Sequence, residues 1–304
     1  MIKSGNKRNL NCSTDREVVQ NIIDKLLVLP KIKGMKLLSD SLAFVTPSEP
    51  LAHPFQPVVE LPLVIMVGLT GVGKSTVLEL LQKRLNFWLL PNRRTLTDEV
   101  IIALLQQEDG QPLQPVTDRL KRFEYTARYR TQYPGGMAHA LSRLALDTNR
   151  VTMPLFFDGL RGLNEVEHGA ALLPQARFVL LDAPDTVRLG RLLNRADAFD
   201  SATVDISPAD EDVQTRLRAI PDIENVFTGS QLVQIARLAA QTSAGELLKK
   251  AAIIVEERRN YDSGAARDYL ATHLSAQKRL VVDTAHLPPQ IVTRQIIDWL
   301  ERSA

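Results

Sequence analysis

Apolar residues along this chain form two kinds of run, and the two alternate. From residue 61 onward, short unbroken apolar runs at 62–67, 86–90 (NFWLL), 151–157 (VTMPLFF), 177–182 (RFVLLD) and 279–283 (RLVVD) are separated by stretches with helical periodicity. Unbroken runs suit strands buried on both faces, whereas apolar positions three and four apart suit amphipathic helices. Strands alternating with helices predict an α/β fold, a three-layer sandwich around a five-stranded parallel sheet. The rhythm breaks over 197–275, where acidic sequence carries the stripes Leu232, Ile235, Ala239 and Leu247, Ala251, Ile254. This predicts a helical insertion, or lid, between the fourth and fifth strands. Ahead of the core, Val18, Val19, Ile22, Ile23, Leu26 and Leu27 lie on one helical stripe, and Thr14 and Glu17 are spaced as a capping box. Pro47, Pro50, Pro54 and Pro57 then read as an extended linker. The expected organisation is an N-terminal helical extension and Pro-rich linker (1–59), a core (60–196), the insertion (197–275) and the last strand and helix of the core (276–304).

The first core strand runs into Gly68-Leu69-Thr70-Gly71-Val72-Gly73-Lys74-Ser75, a match to G-x-x-x-x-G-K-[ST], and then into a leucine-rich helical pattern. Glycines let the backbone bend until successive N–H groups face phosphate oxygens, and the following helix adds its positive end. Lys74 then reaches the β and γ phosphates, Ser75 offers its hydroxyl to Mg²⁺, and Thr76 caps the first turn. A glycine-rich turn with a chance lysine would not be expected to combine motif, strand and helix. The sequence therefore implies a nucleotide-binding P-loop NTPase fold, with ATP and Mg²⁺ as its cofactors.

Composition narrows the rest. Lys and Arg number 37 against 35 Asp and Glu, so no global polycation is available for nucleic acid. Cys12 is the single cysteine, which excludes a disulfide framework and fits a reducing cytoplasm. The N-terminal stretch has no apolar signal-like core, and no run is long enough to span a bilayer. His139, His168, His273 and His286 show no ligand spacing.

The next acidic strand end is PLFFDGLRG. Asp158 sits where a carboxylate would hold the water shell of Mg²⁺, but Gly159 follows it in place of the glutamate that hydrolytic ATPases use to activate water. A phosphotransferase fits better, because its nucleophile comes from the substrate. Arg188, Arg191 and Arg195 are spaced three and four apart, so one helical face carries three guanidiniums able to close over a triphosphate; the plainer alternative is a solvated face pairing with Asp185, Asp197 and Asp200. Between loop and Asp158, Arg93 and Arg94 follow the second strand. The segment 118–141 adds Arg119, Arg122, Arg128 and Arg130 interleaved with Tyr125, Tyr129 and Tyr133. Cations among aromatics suit an anionic ligand with a flat base, with single-stranded nucleic acid or plain helix surface as alternatives.

The stretch FFDGLRGLNEVEHGAALLPQARFVLLDAPDTVRLGRLLNRADAFD (156–200) resembles nucleoside and nucleotide kinases, particularly the dephospho-CoA-kinase-like and adenylate-kinase-like P-loop proteins, and RLVVDTAHLPPQIVTRQIIDWL resembles their last strand and helix. The resemblance implies that Asp158 lies near Mg²⁺, that Arg161 contacts the acceptor's phosphate with Glu165 beside it, and that Arg188, Arg191 and Arg195 stand at the lid. The expected catalytic set is Lys74, Asp158, Arg191 and Arg195. Gly68, Thr70, Gly71, Val72, Gly73, Lys74, Ser75, Thr76 and Arg188 are expected on the nucleotide, and Ser75 and Asp158 on the metal. Arg93, Arg94, Arg128, Arg161 and Glu165 are expected on the acceptor. The implied activity is ATP- and Mg²⁺-dependent transfer of the γ-phosphoryl group to a nucleoside, nucleotide or nucleotide-like acceptor. The N-terminal helix is expected to dock on the core or on a second copy, with a separate recognition module as the other reading. The alternative function is a P-loop regulatory ATPase whose N-terminal helix and insertion bind a macromolecular partner.

Overall fold

A computed structural model describes residues 35–45, 51–194, 212–240 and 242–302. Its strands among these residues are β1 (Met35–Leu37), β2 (Leu42–Val45), β3 (Phe55–Pro57), β4 (Leu63–Val67), β5 (Trp88–Leu89), β6 (Leu144–Asp147), β7 (Leu155–Leu160), β8 (Ala176–Asp182) and β9 (Arg279–Asp283). The expected amphipathic stretch 14–29 and Arg195 lie outside the described residues.

All five residues of β4 are buried, as a central parallel strand requires. It pairs with β7 on one side and β8 on the other, and β5 and β9 complete a five-stranded parallel sheet in the order β5-β7-β4-β8-β9. Period-two alternation divides the sheet's side chains between two cores. Leu63, Ile65, Val67 and Phe157 join one core, which also holds Val166 and Leu270 from helices Leu163–Leu172 and Ser263–His273. Val64, Met66 and Phe156 join the other, with Val77 and Leu81 of helix Lys74–Gln82 and Val292 and Ile296 of helix Pro289–Arg302. The result is the expected three-layer α/β sandwich. Phe156 and Phe157 are both fully buried on opposite faces, each worth about 1.5–3 kcal/mol of apolar burial.

Two strand boundaries differ from the apolar runs. The third parallel strand starts at Leu155, after Pro154, whose missing N–H cannot join a ladder; the Leu155 N–H instead opens the pairing by donating to Pro62 O at 2.9 Å. It then continues past Asp158, and the register shifts so that Val67 pairs with Leu160 and Gly159 is left as a bulge. The second shrinks to Trp88–Leu89 at the sheet's edge.

A four-stranded antiparallel sheet, β1-β2-β6-β3, was not among the expected strands. β6 is its spine, pairing Leu146 with Leu42 and Asp147 with Phe55. It fastens part of the segment before the P-loop to the body of the protein, and Val58 and Leu61 just beyond β3 enter the first core.

Between β8 and β9 the described chain is helical. Leu232, Ile235, Leu247, Ala251 and Ile254 gather in one apolar cluster with Leu217 and Phe227, and Ala239 packs at its margin. Leu189 and Leu192 of helix Asp185–Leu193 join the cluster, so the insertion is anchored on the helix that follows β8.

Candidate active site

β4 delivers the chain into the phosphate loop at the centre of the sheet. Gly68 takes φ +143°, and a Cβ there would stand 2.5 Å from Leu181 O, so no larger residue fits. Gly73 takes φ +101° and is the N-cap of helix Lys74–Gln82; Thr76, expected to cap, is inside the first turn. The first N–H groups of that helix, like those of any helix, have no intrahelical acceptor and can serve an anion placed before them. Residues 70–77 line a cleft of about 710 Å³.

Lys74 lies across its own loop, its Nζ donating to Gly68 O at 2.7 Å and to Leu69 O at 3.2 Å, and standing 3.8 Å from Asp158 Oδ1. Burial lowers the pKa of this ammonium below that of an ordinary lysine; Asp158 and Glu257 oppose the shift, and Arg161 and Arg188 add to it. Asp158 Oδ1 is buried without a hydrogen-bond partner among the described residues. An acceptor atom in that position fits a cation's water shell. Ser75 lies with Asp158 on the wall of a side pocket of about 270 Å³, so the hydroxyl and carboxylate expected for Mg²⁺ are brought together. Among the described residues no three His, Cys, Asp or Glu side chains gather, so a divalent cation here would draw its remaining ligands from phosphate and water.

The loop is held from outside by a network of charge. Glu257, near the end of helix Ala244–Asn260, accepts from the Thr70 hydroxyl at 2.5 Å, the Thr70 N–H at 3.1 Å and Arg161 Nη1 at 2.8 Å, and also from Arg188 Nη2. Arg188, fully buried, sends its Nε to Thr70 O at 2.8 Å and its Nη1 to Asp185, which also accepts from Arg258 Nε at 2.9 Å. Burial works to raise the Glu257 carboxyl's pKa, but Arg161, Arg188, the Thr70 hydrogen bond and Lys74 together hold it below the ordinary carboxylate range. Arg188 therefore braces the loop from behind and does not line the cleft expected for it. Arg191 does line the cleft: its Nη1 donates to Val72 O at 3.2 Å and Thr284 Oγ1 at 3.0 Å, and its Nη2 to Thr284 O at 2.5 Å.

The cleft differs from side to side. Toward β8 and β9 it is walled by Leu192, Leu287, Pro289 and Val292, an apolar slot edged by the polar side chains of Arg191, Asn194 and Thr284. Toward β7 it is walled by Arg93, Arg94, Asp158 and Arg161. Arg93, Arg94 and Arg161 also line a second cleft of about 270 Å³, together with Arg122, Arg130, Tyr129 and Tyr261. Arg93 is fixed there by a bidentate pair with Glu165 at 2.6 and 2.8 Å, by Gly159 O at 2.7 Å and by Tyr261 OH at 3.1 Å. Glu165, nearly fully buried, also accepts the Arg161 N–H at 3.0 Å. The second cleft thus holds the expected Arg93, Arg94, Arg161 and Glu165. Arg128 is not with them: it forms a bidentate pair with Asp109 at 2.7 Å and lines a separate surface groove.

Glu257, Tyr261 and Thr284 were not among the expected site residues, while Arg122 and Arg130 of the arginine-rich segment do line the second cleft. Glu257 stands three residues after Ile254 on the buried stripe of its helix, and a charge on an apolar stripe was the signal available.

No family model matches the chain, and no curated protein matches it. Similar solved structures include a sugar kinase from Janibacter sp. HTCC2649, unliganded, 14% identical with a TM-score of 0.37 over 79% of this chain and 95% of that one. A gluconokinase from Sinorhizobium meliloti 1021 is 12% identical with a TM-score of 0.35 over 80% of this chain and 92% of that one. An uncharacterized protein from Eubacterium ventriosum ATCC 27560 is 12% identical with a TM-score of 0.32 over 79% of this chain and 98% of that one. On its own geometry, with the glycine-rich loop following the central strand and the acidic strand paired beside it, the chain has a three-layer α/β fold around a five-stranded parallel sheet.

Proposed function

We propose that the protein is an ATP- and Mg²⁺-dependent phosphotransferase acting on a small anionic acceptor, a nucleoside, nucleotide or nucleotide-like molecule. The observation that carries this reading is the pair of adjoining clefts, which share Arg93, Arg94 and Arg161. Two sites meeting at a wall of guanidiniums suit two substrates whose charges converge where a phosphoryl group passes between them. The loop N–H groups and Lys74 would hold the β and γ phosphates, and the slot at Leu287, Pro289 and Val292 would take the base. Tyr129 is fully buried, which leaves Tyr261 as the aromatic face for a flat acceptor.

In the transfer, an acceptor oxygen, already ionised in a phosphate or giving up its hydroxyl proton to solvent, forms a bond to the γ phosphorus as the bond to the β,γ-bridging oxygen breaks, and ADP leaves with that electron pair. Lys74, drawn from the Gly68 and Leu69 carbonyls to the phosphates, would neutralise the charge that develops on the bridging oxygen. Mg²⁺, held through Ser75 and the water shell on Asp158, would supply further charge neutralisation. Arg161, between the clefts, would meet the acceptor's anion.

The test is incubation of the purified protein with γ-labelled ATP, Mg²⁺ and a panel of nucleosides, nucleotides, dephospho-CoA, sugars and sugar acids. Label moving onto a nucleoside, nucleotide or nucleotide-like acceptor supports the reading. Label moving to a neutral sugar would overturn the acceptor class, and label released solely as inorganic phosphate would overturn the transferase.

A further inference from the structure

A single carboxylate of the insertion touches both halves of the site. Glu257 takes the N–H and hydroxyl of Thr70, the third residue of the phosphate loop, while Arg188 takes the Thr70 carbonyl. Every polar group of Thr70 is thereby committed to the network behind the loop, which fixes the curvature of the cradle from Gly71 onward. The same carboxylate binds Arg161, which lines both clefts. Arg161 is further fixed at its backbone by Glu165, so the carboxylate sets chiefly the direction of its guanidinium.

We infer that Glu257 is a positioning residue for the transfer: through Thr70 it sets the phosphate loop, through Arg161 it sets the acceptor side, and so the insertion holds the two sites in register. Glu257 touches the loop from the side away from the phosphate and does not line either cleft, so it acts only through its partners. A misplacement of reacting groups by an ångström is costly in rate even where binding survives, which gives this role a signature different from structural support. Removing a negative charge behind a phosphate site also favours an anionic ligand electrostatically. Loss of the carboxylate should therefore slow the transfer without weakening the nucleotide.

The role in turnover rests on the phosphotransferase reading, but the role in setting the loop does not. The test compares wild type with Glu257→Gln, Thr70→Val, Arg161→Ala and the double variant Glu257→Gln/Arg161→Ala in three measurements. These are calorimetric affinity for the Mg²⁺ complex of a non-hydrolysable ATP analogue, hydrogen exchange across 68–76, and kcat with acceptor KM. In Glu257→Gln the analogue affinity is expected to stay within about threefold of wild type or to tighten, loop exchange to quicken, and kcat to fall about tenfold or more. Thr70→Val, which removes one hydroxyl and leaves every charge in place, should change exchange and kcat in the same direction by less. In the acceptor KM, the double variant should be no worse than Arg161→Ala alone. Wild-type kcat and exchange in Glu257→Gln would overturn the inference, as would loss of analogue binding in proportion to a fall in Tm, the mark of mere structural support. Should wild type transfer to no acceptor, the phosphotransferase reading fails alone. Binding and exchange then decide for Glu257: faster exchange with retained affinity supports the role, and unchanged exchange overturns it.

Discussion

The two clefts are built by different means. The larger one draws on the backbone of consecutive residues, Thr70 to Thr76, whose amides are aimed by left-handed glycines. The smaller one draws on side chains from distant segments: Arg93 and Arg94 after β5, Arg122 and Arg130 from helix Arg119–Gln132, Arg161 after β7, and Tyr261 at the end of the insertion's long helix. Backbone amides cannot be removed by substitution, so the first site should lose rate while keeping its ligand. A site of guanidiniums from separate segments, with Arg93, Arg122 and Arg161 each held by a carboxylate, should lose affinity one residue at a time.

The largest effect is expected at Lys74, the ammonium that lies across the backbone-made cleft's own loop. Lys74→Ala should lower kcat about 10²–10³-fold with the far-UV spectrum and Tm unchanged, measured by label transfer and thermal melts. Normal turnover would show that the loop is not the donor site. Arg188→Met should instead be a stability variant. It leaves the buried Glu257 and the half-buried Asp185 without their shared partner, with Arg161 and Arg258 still beside them, a loss of about 1–3 kcal/mol read from denaturant midpoints. Arg161→Ala and Arg191→Ala separate the two clefts kinetically. The first should raise acceptor KM about tenfold or more and the second should mainly lower kcat, because Arg191 fastens Val72 of the loop to Thr284 on the wall of the larger cleft. Arg128→Ala, paired with Asp109 on the outer surface, should leave both constants within about twofold of wild type.

The pH dependence follows from the same contrast. On the proposed reading Lys74 must be protonated to neutralise the charge that develops in the transfer, so kcat is full below its pKa and declines as pH rises through it. Because burial lowers that pKa, the decline should begin at a lower pH than for an exposed lysine, and Lys74→Ala should abolish it. Glu257 is depressed, so its contribution to stability is present above the ordinary carboxylate pKa and is lost as pH falls through the lower folded value. Acid titration of wild type against Glu257→Gln isolates that contribution.

What the sequence made legible has the same local character as the backbone-made cleft. Gly68 to Ser75 are contiguous, and β4, β8 and β9 coincide with unbroken apolar runs, so spacing and periodicity were enough. The antiparallel sheet escaped because β1, β2 and β3 are three or four residues long, too short to display an alternation, and their pairing with β6 is set by distant contacts. The arginine-rich segment 119–132 showed cations and aromatics without showing which face turns inward. Arg130 faces the cleft and Arg128, two positions earlier on the helix, faces Asp109. Helical spacing likewise placed Arg188 and Arg191 together but could not reveal that Glu257 and Asp185 bury the first, leaving the second on the cleft.

The most direct test of the account is the fate of the γ-phosphoryl group in single-turnover reactions with labelled ATP, Mg²⁺ and the best acceptor of the panel, run with wild type and Arg130→Ala. The account expects label to appear in the acceptor in step with ADP in wild type. In Arg130→Ala it expects transfer to slow at low acceptor and to recover at high acceptor, as for a residue that binds the anion on the far wall. Label appearing solely as inorganic phosphate, at a rate that neither the acceptor nor Arg130→Ala alters, would contradict it.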